Sequence, residues 1–191
     1  MNWIEELKCY TPQDDREKAD RASALFASEQ LGDISTRDNP LIHLTASAFI
    51  VNSTRDKTLM IYHNIYDSWS WTGGHADGEE KLLCTAVREA KEETGIEKLK
   101  LLFPSMVSFD ILTVKGHIKN GQYVSAHLHA NAAYLFEADD TQPVFPKPDE
   151  NSAAGWLPIR LLSKYVTEKE MLFYYEKLIR RIPRTDCSQT S

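Results

Sequence analysis

The chain has 191 residues, 42% of them hydrophobic and 26% charged, with a formal net charge of −6. That is long enough for one domain with a sizeable core, and no apolar run approaches the roughly 20 residues of a membrane span. The acidic balance argues against non-specific binding to duplex nucleic acid, which needs a phosphate-neutralising surface.

The opening MNWIEELKCYTPQDD is acidic and lacks the basic-then-apolar order of a signal peptide. Cys9, Cys84 and Cys187 are far apart and odd in number, which suggests free thiols in a reducing compartment. A cytoplasmic location is expected. TPQDDREKADRASALFASEQLG reads as a helix capped by Thr11, with Pro12 in its first turn and Gly32 as its stop. HLTASAFIV (43–51) and KTLMIYH (57–63) read as a strand hairpin across the turn NSTRD.

The aromatic, glycine-rich stretch NIYDSWSWTGGHADGEE leads into a helix from about Glu79 to Thr94, ended by Gly95. SMVSFDILTVKGHIK and QYVSAHLHANAAYLF read as two long strands joined by a tight Asn120-Gly121 hairpin. A proline-bearing loop, EADDTQPVFPKPDENS, precedes a last strand in AAGWLPI. TEKEMLFYYEKLIRRIP reads as a closing helix with a Thr167–Glu170 capping box. Helices packed on a mixed sheet, α/β or α+β in layers, is the expected fold class. The expected division is a helical extension over 1–42, a domain over 43–183 and a tail over 184–191.

One stretch conflicts with helix stability. REAKEETG (88–95) crowds Glu89, Glu92 and Glu93 together near a helix C-terminus. Like charges three and four residues apart repel, and the helix dipole disfavours acids at that end. At about 100° per residue, Leu82, Leu83, Ala86, Val87 and Ala90 form the buried sector, and the three acids fall in the sector beside it. A hard divalent cation among the carboxylates would offset the cost. Screening by Arg88 and Lys91 on a solvated surface would also do so.

The surrounding residues decide between these. Gly74, Glu80, Arg88, Glu89, Glu92, Glu93 and Gly95 lie at fixed intervals in GHADGEEKLLCTAVREAKEETGI. This run resembles the Nudix box at every specified position, a far more specific pattern than a lone three-glycine motif. Thr72 stands where family members often have proline, and Asp77 where many have glutamate. The resemblance implies a Nudix fold, an α/β/α sandwich around a mixed sheet, over about residues 43–160, with extra terminal helices. It implies Mg²⁺- or Mn²⁺-dependent hydrolysis of a phosphoanhydride in a nucleoside-diphosphate-linked or similar small-molecule pyrophosphate.

By the same resemblance Glu89, Glu92 and Glu93 are the expected metal ligands, with the Gly74 carbonyl as a further contribution. Arg88 and Glu80 are expected to orient them. The general base is Glu89 or Glu150, the latter in the KPDENS loop, and Glu93 joins them among the catalytic candidates. Strand alternation puts Ser125, His127, His129 and Asn131 on one face. That face suggests a lined substrate cavity, and two histidines alone are a thin basis for zinc. His75 and Trp69 are further candidates for substrate contact, whereas Trp71 reads as core and His43 and His63 as strand-end surface residues.

Two other readings stay open. One is a binding or regulatory module without turnover, against which the retained acids argue. The other is an isoprenyl-diphosphate isomerase, for which Cys84 lies badly placed relative to Glu89. The expected partner is a small diphosphate, with no membrane and no duplex nucleic acid. A homodimer is left open.

Overall fold

The structure, a computed structural model, describes residues 1–119 and 121–183. Asn120 of the expected hairpin turn, the 184–191 tail and Cys187 lie outside the described residues.

The N-terminal helix forms differently from the expectation. Asn2 opens α1 (Trp3–Cys9) with a capping box: its side chain accepts from the Glu5 amide at 2.9 Å, and the Glu5 carboxylate accepts from the Asn2 amide at 3.1 Å. The second helix, α2 (Asp15–Gln30), is capped by Asp14 rather than Thr11, the carboxylate accepting from the Glu17 amide at 2.8 Å. Thr11 and Pro12 belong to the loop before it. Arg21 on α2 donates to the carbonyls of Leu7 and Lys8 at 2.9 and 2.7 Å, satisfying the end of α1 and tying the two helices together.

The chain divides into two compact units. The first comprises Met1–Ser47, Gly73–Ala86 and Ser105–Tyr134; the second comprises Ala48–Thr72, Val87–Pro104 and the chain from Leu135 onward. The long strands β1 (Ile42–Val51) and β9 (His127–Glu137) and the helix α3 (Leu82–Thr94) each contribute to both.

In the first unit, β6 (Ser108–Val114) runs antiparallel to β9, in register from Ser108 opposite Ala133 to Val114 opposite His127. α2 lies against β6, and its Asp20 carboxylate accepts from the Ile111 amide at 2.9 Å. β4 (Thr72–His75) pairs with β1. The approach is so close that a Cβ on Gly73 would sit 2.5 Å from Ser47 Oγ and 2.7 Å from the Ala46 carbonyl oxygen, so only glycine fits. The two long runs expected around the Asn120-Gly121 turn are each interrupted. β7 (His117–Lys119) and β8 (Gln122–Val124) form a separate two-stranded ribbon, broken from β6 and β9 at Lys115–Gly116 and Ser125–Ala126. The Tyr123 ring occupies the space where Gly116 would carry a side chain.

In the second unit, β2 (Lys57–His63) sits among antiparallel partners. It pairs with the end of β1, with β3 (Ser68–Ser70), and with β10 (Asn151–Pro158), where the register shifts between Asn151 and Ala153. β5 (Lys100–Leu101) pairs with the end of β9. α4 (Leu162–Tyr165) and α5 (Lys169–Arg181) close the unit, with the buried Tyr175 ring packed edge-on to Trp71 and beside Phe49. The expected capping box of α5 does not form. The Thr167 hydroxyl donates to the Asp67 carbonyl at 3.0 Å instead, and Glu168 takes the cap position without a side-chain capping bond.

A mixed sheet with helices against it is the fold class expected from the sequence. Among the described residues no helix is long and apolar enough to cross a membrane.

Candidate functional site

α3 begins at Leu82, three residues later than expected, because Asp77 and Gly78 take left-handed φ values of 48° and 88°. The turn they make leaves Glu79 and Glu80 exposed ahead of the helix, with the Glu79 carboxylate accepting from the Lys81 amide at 2.9 Å. Leu82, Ala86 and Ala90 are fully buried along one face. Gly95 (φ 69°) ends the helix, its amide donating to the Lys91 carbonyl at 2.8 Å.

Burial divides the three acids of this helix. Glu93 is 4% and Glu89 9% exposed, whereas Glu92 is exposed. Arg88 Nη1 lies 2.6 Å from Glu89 Oε1 and 3.7 Å from Glu92 Oε2. Burial pushes the Glu89 carboxyl above the usual carboxylate range; the Arg88 charge opposes this and the Glu92 charge adds to it.

The loop before β10 meets this helix in the same unit. Lys147 Nζ is 2.9 Å from Glu150 Oε2, and the Lys147 carbonyl accepts from the amides of Glu150 and Asn151 at 3.0 and 2.8 Å. The Lys147 charge reaches both Glu89 and Glu92. Asn151 is fully buried, and its Nδ2 donates to Glu93 Oε1 at 3.4 Å, while its Oδ1 has no hydrogen-bond partner among the described residues.

Lys147 and Asn151 have no place in the sequence reading. An Asn after Asp-Glu looks like turn punctuation, and only the fold carries it to Glu93. This donor set suits a hard divalent cation: carboxylate oxygens, two of them buried, beside a buried amide oxygen with no hydrogen-bond partner among the described residues.

The first unit holds a second cluster. β1 alternation puts His43, Thr45 and Ser47 on one face, and β9 alternation does the same for His127, His129 and Asn131. The Thr45 and Ser47 hydroxyls both donate to Asn131 Oδ1 at 2.9 Å. His75, at the end of β4, completes the group: the His43 ring centroid is 4.9 Å from His75, 4.8 Å from His127 and 5.0 Å from His129. His127 Nε2 and His129 Nε2 are 3.2 Å apart.

His43 is thus not the surface residue expected from its place at a strand end; it is 6% exposed, because the other three rings cover it. Its Nδ1 donates to the Asn39 carbonyl at 3.2 Å, which leaves the buried Nε2 as a lone pair with no hydrogen-bond partner among the described residues. Burial lowers the His43 pKa, against the Asn39 bond. Burial, and then the surrounding imidazoles, pull His129 down to about 2, so its ring is neutral at ordinary pH. Ser125, expected on the same strand face, lies outside β9 and offers its carbonyl to His127 Nδ1 at 2.8 Å.

Of the other expected residues, Gly74 lies in β4 beside His75. Trp69 is half-buried on β3 and meets Tyr62 edge-on at 5.7 Å. Trp71 is core.

Comparison with known proteins gives the family and marks the chain as a hydrolase. The NUDIX domain family model matches residues 41–181, and the chain belongs to the NUDIX family. It is 25% identical over 173 residues to a "Probable DHNTP pyrophosphohydrolase" of Lactococcus lactis subsp. cremoris (strain MG1363), covering 90% of this chain and 94% of the relative. Solved structures share the fold. The E. coli dihydroneopterin triphosphate pyrophosphohydrolase aligns with a TM-score of 0.55 at 15% identity, over 72% of this chain and 95% of that one. The C. elegans Ap4A hydrolase aligns with a TM-score of 0.53 at 18% identity, over 75% of this chain and all of that one.

Proposed function

We propose that this protein hydrolyses a phosphoanhydride bond in a nucleoside-diphosphate-linked or similar organic pyrophosphate, with Mg²⁺ or Mn²⁺ as cofactor. The observation that carries this reading is the burial of Glu89 and Glu93 together on one turn of α3, with Glu92 beside them. Three acids in that position are unfavourable for folding, and a bound divalent cation removes the penalty.

Glu89, Glu92 and Glu93 would hold the cation. The cation would neutralise the pyrophosphate oxygens and acidify a bound water. The chain's own groups set up the rest. Arg88, 2.6 Å from Glu89, fixes that carboxylate's orientation. Asn151 does the same for Glu93 from β10. Lys147 brings a positive charge to the acid cluster, and its bond to Glu150 holds that loop in place.

Glu89 is the better placed general base of the two candidates. It lies among the acids that would hold the cation, whereas the Glu150 carboxylate is 2.9 Å from Lys147 Nζ. Glu80 is exposed ahead of the helix. Trp69 offers a ring face for a substrate base or pterin.

The test is metal-dependent hydrolysis across a panel containing DHNTP, suggested by the Lactococcus lactis relative's name, with nucleoside triphosphates, dinucleoside polyphosphates, ADP-ribose, sugar nucleotides and NADH. Turnover of at least one member that stops with chelator is expected. A folded, metal-binding protein that turns over none of them, yet shows ligand-induced thermal shifts, would instead be a binding module.

Asn151→Ala is expected to lower kcat by about 10- to 100-fold with little change in KM, the loss typical of a residue that positions a metal ligand. Steady-state kinetics at saturating Mg²⁺ measure it. A pure KM effect would place Asn151 on the substrate instead.

A further inference from the structure

We propose that His43, His75 and His129 form a binding site for a transition-metal ion of the Zn²⁺ type, chemically separate from the carboxylates of α3. The ligand atoms of the three rings all lie within 4.8 Å of one another. At metal–nitrogen bond lengths of about 2.0–2.1 Å two nitrogens on one ion lie at most about 4.2 Å apart, so small side-chain rotations that draw the rings together bring all three onto one ion.

Two observations point to a ligand rather than to a self-contained polar core. The first is His43. Its tautomer is set by the Nδ1–H bond to the Asn39 carbonyl, and its Nε2 lone pair is buried with no hydrogen-bond partner among the described residues. A buried acceptor in that state is costly unless something occupies it. A ligating imidazole whose other ring nitrogen donates to a carbonyl is the usual arrangement at metal centres.

The second is the composition of the cluster. Four imidazoles pack with centroids about 5 Å apart and no carboxylate among the grouped ligands. Such a face offers nitrogen rather than carboxylate oxygen, so Mg²⁺ and Ca²⁺, which take oxygen ligands, are poor occupants. Neutral imidazole suits Zn²⁺, Co²⁺, Ni²⁺ and Cu²⁺.

The fold supports the rings from behind. Asn131 holds the β1 and β9 faces together through Thr45 and Ser47, at 2.9 Å each. His75 sits on β4, which is locked to β1 by the close approach at Gly73. His127 lies beside the three ligands. Its Nδ1 is engaged by the Ser125 carbonyl at 2.8 Å and its Nε2 faces His129 Nε2 at 3.2 Å, so it serves either as a fourth ligand or as the partner of His129. Three protein nitrogens would leave a position for water or a substrate oxygen, as in catalytic rather than purely structural zinc sites.

The probe is the metal alone, with the tag-free full chain stripped by chelator and dialysed. Zn²⁺ binding is measured by competition with a chromophoric chelator, and Co²⁺ binding by its visible absorption. Wild type is expected to bind one Zn²⁺ per chain that survives a Glu89→Gln/Glu92→Gln double substitution. His129→Gln is expected to weaken Zn²⁺ by more than about 100-fold, beyond the 10- to 100-fold loss of a mere supporting group. The Co²⁺ complex of wild type should show the intense visible bands of a four-coordinate nitrogen site, and His43→Gln should abolish them.

Retention of Zn²⁺ in the histidine variants, or its loss in the glutamate double variant, overturns the proposal. Should the histidine variants fail to fold, diethylpyrocarbonate modification of wild type decides. Protection of the part-exposed His75 and His129 by stoichiometric Zn²⁺ supports the site, and no protection of either refutes it.

Discussion

Glu93→Gln will lower kcat/KM for phosphoanhydride hydrolysis by about three orders of magnitude while leaving the protein at least as stable as wild type. The substitution keeps the shape of the side chain and exchanges one carboxylate oxygen for an amide. In a site that binds a divalent cation through carboxylates, this removes an anionic ligand and places a donor against the metal, and losses of about 10²–10⁴ accompany removal of a group that acts in the chemistry. The stability effect has the opposite sign. Glu93 is buried near the negative end of α3 with Glu89 and Glu92 close by, so discharging it relieves both the repulsion and the dipole penalty.

A residue whose removal stabilises the fold and destroys the activity is held in place by function. Initial rates on the best substrate of the panel, with thermal melting in chelator, measure both halves. Glu80→Gln is the control: exposed ahead of the helix, it should change kcat/KM far less. Activity of Glu93→Gln within tenfold of wild type would remove the cluster from the reaction.

The parts of this architecture that were legible in the sequence are those whose physics is local. A helix with three acids beside its apolar stripe can be placed from periodicity alone, and the glycine that ends it is Gly95 in the structure as well. Strand alternation likewise put His127, His129 and Asn131 on one face.

What could not be read depends on which elements come to lie over which. His43 opens β1, and nothing in its neighbours says that His75, His127 and His129 will cover it. Asn151 meets Glu93 across 58 residues of sequence, a contact that only the packing of β10 against α3 creates. The helix starts failed for a related reason. Thr11 and Thr167 are both acceptable caps by type, yet Asp14 takes the first role, and Thr167 spends its hydroxyl on the Asp67 carbonyl. Cap preference is worth about 1 kcal/mol, which tertiary hydrogen bonds readily override.

Glu17→Ala should cost about 3–5 kcal/mol of folding stability, the sum of its lost hydrogen bonds to a charged group at about 1.5–3 kcal/mol each. Glu17 lies on α2 and is fully buried. Its Oε2 accepts from the Tyr10 hydroxyl at 2.6 Å and from the Gln13 amide at 2.8 Å, and its Oε1 accepts from the Ser108 hydroxyl at 3.3 Å. One carboxylate therefore ties the α1–α2 loop, the first turn of α2 and strand β6 together. Truncation to alanine leaves the part-buried Tyr10 hydroxyl and Gln13 amide without this acceptor, and each lost hydrogen bond to a charged group costs about 1.5–3 kcal/mol. It also leaves a void where the side chain stood.

For a chain of this size, each kcal/mol moves the melting temperature by about 2–4 °C, so a fall of roughly 10 °C is expected in thermal melts. Urea unfolding should show a lower midpoint with an unchanged slope. Tyr10→Phe removes one of the donors and should cost about 1.5–3 kcal/mol. In the double variant the two losses should fall short of their sum, because Glu17→Ala has already broken the bond that Tyr10→Phe removes. Strict additivity would mean that the carboxylate acts through its other partners and that the Tyr10 bond contributes nothing. A Glu17→Ala cost below about 1 kcal/mol would mean that water enters and replaces the carboxylate, so that the loop, α2 and β6 are held by apolar packing alone.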